Sequence, residues 1–94
     1  MGNEGAVRRT FEIRNRLGLH ARAAVQLVQL ANRFESEIRL SKDGKAVNGK
    51  SVLELMMLAA TQGSAVEVIA EGPDAQEAVE AIGALIAARF HEPE

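Results

Sequence analysis

Three stretches of this chain alternate apolar and polar side chains, and that period of two limits the folds open to it. Val7, Phe11 and Ile13 share one face of a strand expected from Val7 to Arg14. Ile38 and Leu40 alternate with charges in "SEIRLSKDGKAVNG", where Asp43-Gly44 is a turn dipeptide and Ala46-Val47 opens a short return strand. "SAVEVIAEG" places Val66, Val68 and Ala70 on one face. Strands that are apolar on one side only have one buried and one wet face. They belong in an antiparallel sheet whose helices all pack on the same side.

Between the strands the apolar spacing changes to that of helices. Ala24, Leu27, Val28 and Ala31 form the stripe of a first helix, expected from about Ala21 to Arg33. A second helix opens at Ser51, which with Glu54 matches the serine-x-x-glutamate capping box, and ends before Gly63. Asp74 and Glu77 cap a third, striped by Ala78, Ile82, Leu85 and Ile86. The order is βαββαβα. The expected class is α/β of the α+β kind: an open-faced sandwich, a four-stranded antiparallel sheet with three helices on one side. Ninety-four residues suit one domain, 1–94, with one core.

Composition narrows the function. Apolar residues make up 47% of the chain but only three are aromatic, so aliphatic side chains must fill the core. No cysteine is present, so disulfides and thiolate metal sites are out, and a cytoplasmic location follows. The two histidines lie at opposite ends of the sequence, so no metal site is expected. "MGNEGAVRRTF" lacks an apolar signal core, and "VLELMMLAA", interrupted by Glu54, is too short to span a bilayer. The net charge is −2, and an acidic chain with few aromatics is a poor nucleic-acid binder. Yet Arg8, Arg9, Arg14, Arg16 and Arg22 crowd the first quarter, while Glu71, Asp74, Glu77, Glu80, Glu92 and Glu94 crowd the end. The basic cluster suits one anionic group or one acidic partner surface. The final "HEPE" reads as a frayed tail.

"RLGLHARAAVQLVQLA" is where local rules are broken. His20 takes the N-cap position, although Ser, Thr, Asp and Asn are the preferred caps. Arg22 then adds positive charge to the positive end of the helix dipole. His20 could be a tolerated surface residue, since a poor cap costs only about 1 kcal/mol. The other reading is a nucleophile at an anion-binding helix start, with Arg22 as a charged donor. Activation by the dipole is a small effect, because an ordinary imidazole is already mostly neutral at pH 7. Each charge-assisted hydrogen bond to a bound phosphoryl oxygen contributes about 1.5–3 kcal/mol. The site reads as a phosphoryl cradle.

"GLHARAA" before a helical stripe, "NGKSVLELMMLAATQG" and "GPDAQEAVEAI" resemble the histidine-containing phosphocarrier (HPr) family of the bacterial phosphotransferase system, from about Val7 to Phe90. The resemblance implies a stoichiometric carrier rather than an enzyme, without a cofactor and monomeric. It implies a phosphoryl group accepted from phosphorylated enzyme I on His20, on the pros nitrogen, stabilised by Arg22 and passed to a histidine of an enzyme IIA protein. Ser51 then matches the serine that an HPr serine kinase/phosphorylase modifies in some bacteria. Ala23 stands where the family usually has proline. The "LG" of Leu17-Gly18 and the tail "ARFHEPE" also look like the nitrogen-related branch, so both branches stay open.

The second helix is apolar at more positions than one stripe can bury. With Leu55, Leu58 and Ala59 taken as its core face, Val52, Leu53 and Met56 turn toward the start of the first helix. Together with Leu17 they form the expected docking patch, methionine suiting a surface that meets several partners. The alternative is a helix buried all round. Two rival functions are a regulatory binding module, against which His20 itself argues, and a hydrolase with His20 as base, which lacks a nearby acidic partner, a nucleophile and a metal set.

Overall fold

The alternating strands do pair into one antiparallel sheet, and β4 lies inside it. A computed structural model describes residues 6–92. Its elements are β1 (Ala6–Glu12), α1 (Ala21–Ala31), β2 (Glu37–Lys42), β3 (Lys45–Asn48), α2 (Val52–Met57), β4 (Ala65–Glu71) and α3 (Ala75–Ala87). A short turn at Arg89–His91 follows. The strand order is β1-β4-β2-β3, with every pairing antiparallel. No helix among the described residues is long and apolar enough to cross a membrane.

Residues paired directly across strands share a face. Phe11 pairs with Val66, Val68 with Leu40, and Ala70 with Val7 on one side and Ile38 on the other, which puts the alternating apolar set on one face. That face meets Leu27, Leu55, Val79, Ile82 and Ile86 in one core cluster, with α3 lying across β1 and β4. Gly83 sits where a side chain would collide with the Phe11 ring, so glycine in mid-helix lets α3 approach the edge strand. Arg9 also points to this face, because it pairs with Val68. At the sheet edge its guanidinium lies 5.4 Å over the Phe11 ring. The opposite face is wet except for Ile69, which is buried between the paired Arg8 and Arg39. Long arginine stems can cover such a residue while their charges stay in water.

Four sequence expectations need correction. β1 stops at Glu12, although Ile13 still donates to Ser64 and accepts from Gly63, both at 2.8 Å. α1 ends at Ala31 rather than Arg33, because Arg33 and Phe34 donate to carbonyls only three residues back. α2 is far shorter than expected: it ends at Met57, and Ala59 turns into the left-handed region at φ 55°. Ala59 is therefore exposed, and the core face of this segment is Leu55, Leu58 and Ala60. Lys42 and Lys45 donate to the carbonyls of Ala59 and Met57, filling acceptors the stopped helix leaves open. Finally, Asp74 precedes α3 but makes no capping bond. Its carboxylate instead accepts from the Ser36 hydroxyl at 2.6 Å and the N–H groups of Glu35 and Ser36, clamping the start of β2 to the start of α3.

Ser51 does cap α2, its hydroxyl accepting from Glu54 N–H at 3.2 Å. The capping box is only half made, because the Glu54 carboxylate accepts from Asn48 N–H instead.

Gly18 lets two loops cross. At φ 68° it occupies the left-handed region, and a Cβ there would lie 2.5 Å from the Ala60 carbonyl oxygen. The next residue, Leu19, donates to that same carbonyl at 2.8 Å. Gly18→Ala is expected to lose at least the about 1–2 kcal/mol of a left-handed alanine. Gly44→Ala, also left-handed but with nothing within 4 Å of the added carbon, should lose less. Thermal melts compare them, at about 4–8 °C per kcal/mol for a domain of this size.

A second expectation concerns acid. The Ser36 hydroxyl and the Glu35 N–H hold the Asp74 carboxyl below the ordinary carboxylate range, outweighing the opposing effect of burial. The folded state therefore binds fewer protons there than the unfolded state, and stability rises with pH. The contribution is complete above the ordinary range and is lost as pH falls through about 4 and below. Chemical denaturation between pH 6 and about 3 should show a shallower acid loss for Asp74→Asn than for the unaltered chain.

Candidate functional site

The β1–β4 pairing brings the loop before α1 against the loop before β4, and the α1 loop delivers His20 to the first turn of its helix. Its backbone is extended (φ −82°, ψ −178°), and its side chain makes no capping bond. The first hydrogen bond of the helix runs from Ala24 N–H to the His20 carbonyl, at 2.8 Å. The N–H groups of the turn before it lack an intrahelical acceptor, and no acidic residue stands among them. Arg22 is exposed in that turn. Fixed partial positive charge thus sits beside the imidazole, which is 26% exposed, and Arg22 lines a cleft with Gln26, His91 and Glu92.

The expected frayed tail is ordered as far as Glu92, while Pro93 and Glu94 lie outside the described residues. Glu92 turns back so that its Oε2 meets His20 Nε2. The same oxygen accepts from Asn15 Nδ2 at 3.1 Å. Asn15 is fully buried, and its Nδ2 also donates to the Gly18 carbonyl at 2.7 Å. Burial alone would push the Glu92 carboxyl up. The hydrogen bonds from His20 and Asn15, with the charge of Arg22 and that of His20 when protonated, outweigh it and hold the group below its ordinary value. An ionised carboxylate thus lies against the imidazole. His20 has the nearby acidic partner that the sequence was expected to lack.

Sequence reasoning missed Glu92 and Asn15 for a definite reason. Glu92 is 72 residues from His20, and nothing local marks it. Asn15 reads as an ordinary loop residue, and only its burial singles it out. The anticipated basic cluster is dispersed: Arg8 faces Glu67 at 3.5 Å across the wet face and Arg9 lies over Phe11, so neither joins Arg22. Among the described residues, no three His, Asp or Glu side chains gather to hold a metal ion.

On α2, Leu53 and Met56 are exposed, Leu53 by 71%, and so is Met57, which the sequence reading left out. Val52 is half-buried against the core. Leu17 is 66% exposed beside the Gly18–Ala60 crossing just beyond α2. Ser51, at the start of α2, is half-buried.

The family model for the PTS HPr component phosphorylation site matches residues 7–88. The phosphocarrier protein HPr of Cupriavidus necator is 50% identical over 88 residues, which cover 94% of this chain and 99% of that protein. The HPr-like protein Crh of Bacillus subtilis is 49% identical over 80 residues, 85% of this chain and 94% of its own. The crystal structure of HPr-C-His from Thermoanaerobacter tengcongensis superposes with a TM-score of 0.90 at 44% identity, covering 94% of this chain and 99% of that one. Sheet order, helix placement and sequence agree: the chain belongs to the HPr family of phosphocarrier proteins of the bacterial phosphotransferase system.

Proposed function

We propose that this protein accepts a phosphoryl group from phosphorylated enzyme I on the pros nitrogen (Nδ1) of His20 and passes it to a histidine of an enzyme IIA protein. The observation that carries the reading is the N-cap itself. An imidazole replaces the usual capping oxygen at a helix start whose first turn holds an arginine and no acid. A capping carboxylate or hydroxyl would occupy the N–H groups that a phosphoryl oxygen can use. Phosphoryl transfer depends on positioning and on charge stabilisation, and Arg22 supplies the charge. The protein serves as a stoichiometric carrier in the cytoplasm, a monomer in one domain, requiring no cofactor. Ala23 in place of the family's usual proline is buried in the core and continues the helix without strain.

Leu17, Leu53 and Met56, with Val52 at their edge, form the surface on which enzyme I and the IIA proteins dock in turn. Ser51 stands at the border of that surface as both α2 cap and regulatory phosphosite. Phosphate at a helix N-terminus is tolerated by the dipole, so the fold survives modification. A dianion beside Val52 and Leu53 is costly to desolvate against a partner, so docking suffers. Glu54, three residues on, adds a like charge and opposes the kinase.

Incubation with enzyme I and labelled phosphoenolpyruvate should give an acid-labile, alkali-stable phosphate. His20→Ala should abolish it with the fold intact, while His91→Ala keeps the label; a label surviving His20→Ala sinks the assignment. Arg22→Ala should slow transfer about 10- to 100-fold, the loss of one charge-assisted contact. Leu53→Ser and Met56→Ser should weaken binding to enzyme I while stability stays within about 0.5 kcal/mol. Half-buried Val52 should lose both binding and stability. Ser51→Asp should accept phosphate more slowly than Ser51→Ala with a similar melting temperature. Uptake by Ser51→Asp at the unaltered rate would leave Ser51 a cap only.

A further inference from the structure

The segment after α3 is built at a conformational cost. Arg89, Phe90 and His91 have φ of 58°, 53° and 61°, three consecutive residues other than glycine in the left-handed region. Such a run persists only where its surroundings over-determine it. Phe90 supplies the anchor, fully buried in the core. His91 N–H then returns to the Ala88 carbonyl and Glu92 N–H to the Arg89 carbonyl, both at 3.0 Å. The chain reverses over the anchor and brings Glu92, whose side chain is only 12% exposed, onto His20.

Asn15 holds the other side of the carboxylate, and its orientation is determined by its partners. Both groups at Nδ2, the Gly18 carbonyl and the Glu92 carboxylate, can only accept, so the amide must present its NH2 to them. Its own oxygen is buried without a partner. The fold leaves an acceptor unsatisfied in order to grip Glu92 and the loop that leads to His20. The stretch matched by the family model ends at residue 88, so the last four described residues, which form this turn and grip, lie beyond it.

We infer that Glu92 is a positioning residue for phosphoryl transfer: its carboxylate, gripped by Asn15, accepts the Nε2–H of His20 and so keeps the lone pair on Nδ1. The inference rests on His20 being the phosphoryl acceptor. A carboxylate offers no proton, so the ring must donate through Nε2, and a neutral ring then has its lone pair on the other nitrogen. That lone pair forms the new N–P bond as the bond between phosphorus and the donor's nitrogen breaks, its electron pair remaining with the donor. The acceptor ring becomes cationic without losing its Nε2 proton, and the charge forms against the Glu92 carboxylate. The carboxylate and the phosphoryl group meet different edges of one ring, so Glu92 steadies the imidazole without occupying the place of the incoming anion.

The test is nitrogen NMR of the His20 ring in the full chain, without any partner, at a pH where the ring is neutral. The unaltered chain should show one N–H-type and one lone-pair-type ring nitrogen, assigned to Nε2 and Nδ1. In Glu92→Ala the two resonances should move toward each other as both tautomers become populated. Glu92→Gln, whose amide oxygen can still accept, should fall between. Phosphoryl uptake from enzyme I should drop about tenfold in Glu92→Ala and less in Glu92→Gln. If Glu92→Ala disturbs the fold, the equal-sized glutamine variant carries the comparison. Identical ring resonances in all three chains, or an unaltered chain with its proton on Nδ1, overturns the inference. The ring spectra do not depend on phosphorylation. A chain that shows the expected tautomer but takes no label therefore refutes the acceptor role of His20 while leaving the Glu92 contact standing.

Discussion

Strand β4 is paired on both sides, with β1 along one edge and β2 along the other, and the antiparallel match to β1 decides where the candidate site forms. Glu12 ends β1 opposite Ala65, which begins β4, so the chain leaving one strand runs beside the chain entering the other. Ile13 extends the contact through its bonds to Gly63 and Ser64. Gly18 and Leu19 then cross the Ala60 carbonyl at a distance that only a residue without a Cβ allows. His20 follows one residue later, at the first turn of α1. Its place in space therefore descends from strand register through a loop crossing, and does not depend on any contact made by the imidazole.

Around that place the chain makes several locally unfavourable choices, which are scarce elsewhere in the fold. α1 starts without a side-chain cap and with Arg22 in its first turn, whereas α2 has Ser51 as cap and Glu54 in its first turn. Ala59 takes a left-handed conformation without being glycine, and Arg89, Phe90 and His91 do so in succession. The Asn15 oxygen is buried and unpaired. Each choice costs on the order of 1–3 kcal/mol. A core as regular as this one, in which β4 contributes three fully buried side chains to one cluster, can offset several of them. Departures from local preference that gather in one region are expected where a structure serves a function and not only its own stability.

What could be read in advance follows the same division. Period-two and helical patterns come from the buried face, and they gave the strand order along the chain, the three helices and the Asp43-Gly44 hairpin. Ser51 was legible as a cap because capping is a relation between residues three apart. The end of α2 was not, because the left-handed turn there falls on Ala59 and a reader looks for glycine. Asp74 has the residue type and position of a cap, but it is occupied by Ser36 and Glu35, 38 and 39 residues away. Tertiary partners can override a local signal of that kind, and sequence spacing carries no trace of them. Within the site, His20 and Arg22 stood out because they break rules of the helix they begin. Glu92 breaks none, and in a tail rich in polar residues it looks like solvated charge.

The placement of Glu92 also bears on why a chain of net negative charge can present an anion site at all. An acidic residue beside a phosphoryl acceptor looks counterproductive if only net charge is counted. Geometry changes the sign of the argument. The carboxylate contacts the ring at Nε2, opposite in role to the nitrogen that would carry phosphorus, and Arg22 and the helix start provide positive potential in the same neighbourhood. On the proposed role of His20, the ring would carry a positive charge after transfer, set against the Glu92 carboxylate, while Arg22 and the backbone N–H groups would face the phosphoryl oxygens. The local charges would then alternate in sign from carboxylate to ring to phosphoryl to arginine. In such an arrangement the attraction between the carboxylate and the imidazolium it touches outweighs the repulsion between the carboxylate and the more distant dianion on the other edge of the ring.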